Sequence, residues 1–64
     1  MKPSWTGKLI GNMHIYEVTQ VELAKELGCT RGYVNMVLNG KFSPAGVKER
    51  FTQALNAILE RRKG

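Results

Sequence analysis

Sixty-four residues leave room for one small domain, expected over 1–64, and 42% hydrophobic with 23% charged residues is globular rather than disordered composition. No apolar run approaches the ~20 residues of a bilayer-spanning helix, no apolar stretch follows Met1-Lys2-Pro3-Ser4-Trp5 as an export signal would, and the single cysteine, Cys29, forms no internal disulfide. Ten Lys+Arg against five Asp+Glu leave +5, which favours a polyanionic partner: DNA first, RNA second, an acidic membrane surface third.

Helices are the expected elements, because strict apolar/polar alternation never lasts long enough for a sheet. The first helix is predicted from Trp5 to about Tyr16, capped by Ser4, with Trp5, Leu9 and Met13 on one face. Gly7 and Gly11 in its interior each cost about 1 kcal/mol relative to alanine, so it depends on tertiary contacts. A second helix runs from Thr19 to Leu27. Thr19 and Glu22 spell a T-x-x-E capping box, Val18 is placed to staple onto Leu23, and Gly28 stops it. Thr30 then caps a third helix to Leu38 or Asn39, closed by Gly40 in the left-handed conformation. On it Tyr33, Val34, Val37 and Leu38 point one way, while Gly32, Asn35, Met36 and Asn39 point the other and Arg31 projects from the first turn. A fourth helix is predicted over about 44–62, with Ser43 as cap, Pro44 at the first helical position, and Val47, Phe51, Ala54, Leu55, Ile58 and Leu59 along one broad face.

The second and third helices carry the most specific pattern. Two short helices joined by a tight glycine turn are the supersecondary signature of a helix-turn-helix, expected here over about 19–40. Ala24 stands where the helices cross and a larger side chain would hold them apart. Gly28 tolerates the positive φ of the turn. Cys29 fills a small inward position, and Val34 and Val37 face back onto the first helix of the pair. Between Glu26 and Glu49 there is no acidic residue, while Arg31, Lys41 and Lys48 fall inside that gap.

The stretch Val18 to Lys41, with its pattern T-Q-x-E-L-A-x-x-L-G-x-T-x-x-x-V-x-x-V-L-N-G-K, resembles the helix-turn-helix of the phage repressor/Cro class, the Cro/C1 or XRE-type family. The resemblance covers about a third of the chain. It implies an all-α, four- to five-helix bundle of the lambda repressor-like DNA-binding type that binds a double-stranded DNA operator as a homodimer. A transcriptional regulator, most simply a small Cro-like repressor, phage-encoded or associated with a bacterial nucleoid in the cytoplasm, is the implied function. The first helix departs from the family in lacking a surface rich in Arg and Lys.

A major groove admits one α-helix, and a helix-turn-helix lays its second helix there. The base-reading candidates are therefore Arg31, Gly32, Asn35 and Met36. Arg31 is suited to a bidentate contact with guanine and Asn35 to adenine or a phosphate. Met36 is suited to a thymine methyl, and Gly32 to close backbone approach. Gln20, Thr30, Tyr33, Asn39 and Lys41 are expected on phosphates, which set register without carrying sequence information; for Tyr33, packing between helices competes evenly. The Arg61-Arg62-Lys63 run suits flanking phosphate or the helix dipole. One copy reads too few base pairs for useful specificity, so two copies on half-sites ~34 Å apart are expected, with Leu55, Ile58 and Leu59 contributing to their interface.

An enzyme is not expected: the sequence offers no nucleophile–base pair, no paired carboxylates in an apolar setting, no phosphate-cradling loop and no metal cluster, and the chain is small for a pocket of a few hundred Å³. No cofactor, metal or small-molecule ligand is implied. The alternative is an antitoxin or adaptor whose helix-turn-helix meets a protein partner; an apolar outward patch on the third helix would distinguish it.

Overall fold

The computed structural model describes residues 4–63, which form four helices and, among those residues, no strand. They are α1 (Ser4–Ile15), α2 (Gln20–Leu27), α3 (Arg31–Leu38) and α4 (Val47–Lys63). Helix α2 packs against α3 and α4, and α1 packs against the same two. The radius of gyration, 11.0 Å, is close to the about 11 Å expected of a chain this long folded as one globule.

All four helices feed a single core. Leu9 and Met13 enter from α1, Leu23 and Ala24 from α2, Val34, Val37 and Leu38 from α3, and Val47, Phe51, Ala54, Leu55 and Ile58 from α4. Phe51 lies near its centre at 1% exposure, with the Trp5 ring edge-on at 6.0 Å and the Tyr33 ring tilted at 6.4 Å. Truncating a buried phenylalanine to alanine costs about 3–5 kcal/mol, a large share of the stability of any small domain. Thr6 is also fully buried, so the inner face of α1 is wider than its apolar residues indicate.

Three helices end in one way. Just past each end one N–H donates back five residues and the N–H before it donates back three: Val18 and Glu17 to the Met13 and His14 carbonyls, Cys29 and Gly28 to Ala24 and Lys25, Lys41 and Gly40 to Met36 and Val37. This closure satisfies carbonyls left over by the helix and requires a left-handed residue at the reversal. Gly28 (φ 74°) and Gly40 (φ 77°) supply it without strain, but at the end of α1 the residue is Glu17, at φ 56°. With no glycine to mark it, α1 ends at Ile15, one residue short of the predicted Tyr16, and Ser4 lies within the helix rather than capping it.

The start of α4 is a correction. The helix begins at Val47, not at Pro44. Gly46 adopts φ 78°, which an α-helix cannot contain. The Val47 N–H closes a turn onto the Pro44 carbonyl, and the Gly46 carbonyl accepts the first helical bond, from Arg50. Ser43 and Pro44 therefore belong to the loop.

Candidate nucleic-acid interface

The turn between α2 and α3 is built as the sequence dictates. Thr19 Oγ1 accepts from the Glu22 N–H at 3.1 Å and Thr30 Oγ1 from the Tyr33 N–H at 3.1 Å, so each helix opens on a threonine cap. Gly28 reverses the chain, and half-buried Cys29 packs against the core beside Leu27. Val34, Val37 and Leu38, at 0–2% exposure, anchor α3 from beneath. The residues left outward on this eight-residue helix are Arg31, Gly32, Asn35 and Met36. The base-reading candidates thus share one exposed, acid-free face.

The phosphate candidates divide. Thr30 and Lys41 are exposed, and the Thr30 hydroxyl keeps its own hydrogen for a further acceptor because its oxygen serves as the cap. Tyr33 is half-buried, its ring edge-on to Phe42 at 5.8 Å as well as facing Phe51, so it packs between elements. Gln20 and Asn39 are joined to Asn35 through their side-chain amides: Asn39 Nδ2 donates to Asn35 Oδ1 at 2.7 Å, and Asn35 Nδ2 donates to Gln20 Oε1 at 3.4 Å. Nothing in the sequence spacing pointed to that chain, because it joins residues fifteen apart.

Gly32 is glycine for no reason internal to the fold. A Cβ built there meets only Thr30 Oγ1, at 3.9 Å, and its φ is not left-handed.

The electrostatics are shaped by the far end of the chain. Arg62 donates to the Tyr16 carbonyl, to the Glu17 carbonyl at 3.3 Å, and to both carboxylate oxygens of Glu22 at 2.8 and 3.0 Å. Glu22 is thereby turned away from Thr19, so the expected capping box closes on one side only. Arg61 pairs with Glu26 and Lys63 with Glu60. The hydrogen bond from Arg61 holds the Glu26 carboxyl below the ordinary carboxylate range, aided by the opposite charge and opposed by partial desolvation. The same bond raises the Arg61 guanidinium above its ordinary value. Each member of the Arg61-Arg62-Lys63 run thus carries an intramolecular ion pair while its side chain stays exposed. Among the described residues, the cations with no ion pair are Lys8, Lys25, Arg31, Lys41, Lys48 and Arg50, against the carboxylates Glu17 and Glu49. The tail pairs with both acids of α2, and the outward face of α3 carries Arg31 and no carboxylate of its own.

The expected dimer residues require a second correction. Leu55 and Ile58 are 4% and 1% exposed within one chain, since α1 and α2 both close over that arc of α4. Leu59 is half-buried and packs against the core. It also lines an open groove of about 510 Å³ with Tyr16, Asn56, Glu60, Arg62 and Lys63, a larger concavity than the length of the chain suggests. Among the described residues, no three His, Cys, Asp or Glu side chains gather as metal ligands, and no helix is long and apolar enough to cross a membrane. The chain matches no family model, no curated protein and no solved structure.

Proposed function

We propose that this chain is a helix-turn-helix domain of the lambda repressor-like type that binds double-stranded DNA sequence-specifically through α3 and acts as a small Cro-like transcriptional regulator. The observation that carries the reading is the division of α3: Val34, Val37 and Leu38 are buried, while Arg31, Gly32, Asn35 and Met36 stand outward on a face without a carboxylate. Such a face suits the floor of a major groove, where Arg31 in the first turn addresses guanine O6 and N7, and Thr30 and Lys41 at the two ends of the helix address phosphates. Two copies are needed for a useful site. With Leu55 and Ile58 committed to the core, Leu59 and the exposed Tyr16, which line one groove, are offered for pairing in their place.

Selection of duplexes from a random pool, followed by a salt titration on the selected site, tests this reading. Affinity should fall linearly in log–log form with a slope near −0.9 per phosphate contacted. Arg31→Ala should relax preference at one base pair, and Lys41→Ala should weaken all sequences alike. Failure to enrich any duplex sinks the proposal. The exposed Val21, Met36 and Phe42 (47%, 45% and 43%) favour the second reading, an antitoxin or adaptor that docks a protein; affinity for a protein that is insensitive to salt and lost on Met36→Lys would support it.

A further inference from the structure

The amides of Gln20, Asn35 and Asn39 form a chain with a direction. It starts at Asn39, just past α3, passes through Asn35 in the middle of the helix, and ends at Gln20, the first residue of α2. An asparagine side chain owns two N–H donors and two acceptor lone pairs. Asn35 spends one of each on its neighbours and keeps one of each. In the major groove adenine presents an acceptor, N7, beside a donor, N6, whereas guanine presents two acceptors, N7 and O6. One remaining donor beside one remaining acceptor complements adenine and leaves one guanine acceptor unsatisfied.

The direction of the chain matters as much as its membership. The terminal torsion of asparagine has a broad, roughly two-fold profile, so a free amide exchanges its oxygen and nitrogen ends readily. Here Asn39 offers a donor to one end of Asn35 and Gln20 offers an acceptor to the other, so the three amides can turn only together, and the oxygen of Asn35 stands toward Asn39 and its nitrogen toward Gln20. Resting on the reading of α3 as a DNA-reading helix, we propose that Asn35 selects adenine and that Gln20 and Asn39 are positioning residues that hold its amide in the adenine-reading orientation, rather than phosphate clamps. Both bonds are exposed in the free protein, where water competes and their net contribution is small. Against a base pair water is excluded and the same bonds strengthen. The variants should therefore fold like the parent and differ in recognition.

The test uses the full chain and a duplex selected from a random pool, with every single base-pair change of that duplex. The parent should prefer adenine at one position by about 5- to 150-fold, the range a good bidentate contact gives. Asn35→Ala should abolish that preference. Asn39→Ala and Gln20→Ala should reduce it severalfold at the same position and leave the other positions as they are. A loss in Asn39→Ala and Gln20→Ala that is equal for every duplex overturns the positioning role and returns both residues to phosphates. A guanine preference removed by Asn35→Ala, or an adenine preference that survives it, overturns the adenine assignment. An amide ¹H–¹⁵N spectrum of the free protein gives a reading independent of DNA: the Asn35 side-chain peaks should move in Asn39→Ala, and unmoved peaks overturn the chain itself. Absence of parent binding to any duplex in dilute buffer overturns the underlying DNA reading, and this proposal with it; binding with uniform losses overturns this proposal alone.

Discussion

Replacing Arg62 with methionine keeps the apolar stem and removes the guanidinium that joins α4 to the α1–α2 turn. The side chain makes a two-oxygen contact with Glu22 and bonds to two backbone carbonyls, Tyr16 and Glu17. Both charged partners are well exposed, at 41% and 35% of their side-chain surface, so the ion pair contributes only about 0.2–1 kcal/mol after screening. The freed carbonyls belong to exposed residues and can turn to water, so their loss adds at most a further fraction of a kcal/mol. The sum is about 1 kcal/mol, and a domain of this size loses about 4–8 °C in Tm for that amount. Thermal unfolding of Arg62→Met, Glu22→Gln and the double variant checks the figure, and the double variant should be no less stable than Arg62→Met by itself. A Tm for Arg62→Met within about 1 °C of the parent at low salt, or a gap that does not narrow at 1 M salt, would refute the assignment of this clasp as a stabilising tie.

Three other outcomes follow from single residues. Glu17→Gly should stabilise the fold by about 0.5–1 kcal/mol, measured by urea denaturation, because relief of the left-handed strain exceeds the entropy that glycine adds to the unfolded chain; a destabilised variant would contradict the end of α1 as described. Gly32→Ala should raise stability by about 1 kcal/mol, since the methyl meets nothing closer than 3.9 Å, and yet weaken duplex binding several-fold by pushing the α3 backbone from the groove; unchanged binding would show that the backbone does not approach closely. The Glu26 carboxyl titrates below its ordinary range in the folded state. Its contribution is thus present above the unfolded-state value and lost as pH falls through the depressed one. Urea midpoints should fall more steeply below about pH 4 in the parent than in Glu26→Gln, and parallel curves would remove the Arg61 pair from the account.

Most of the α2–turn–α3 unit was legible because each of its steric demands falls on a different residue type in a short window: threonine at both caps, a buried alanine on α2, glycine at the reversal. The start of α4 was not, because Ser43-Pro44 is a helix-opening dipeptide whose promise is cancelled two residues later by Gly46, and local pattern does not say which signal prevails. The ending of α1 was off by a residue for the converse reason, a left-handed position occupied by glutamate. The outward set on α3 could be read from its angular spacing alone. The amide chain and the Arg62 clasp could not, since they join residues fifteen and forty apart, and only packing brings them together. Leu55 and Ile58 illustrate a further limit: an apolar arc reveals that something covers it, not whether the cover comes from the same chain.

In α3 the side chains that hold the helix down and those that stand outward are different sets, with no member in common. None of the four outward residues enters the core, so replacing them leaves the buried contacts of the scaffold intact. Changing the chemistry of this face is then a matter of four positions rather than of refolding. A library randomised at Arg31, Gly32, Asn35 and Met36 should consist mostly of folded proteins, each a different sentence written on the same page.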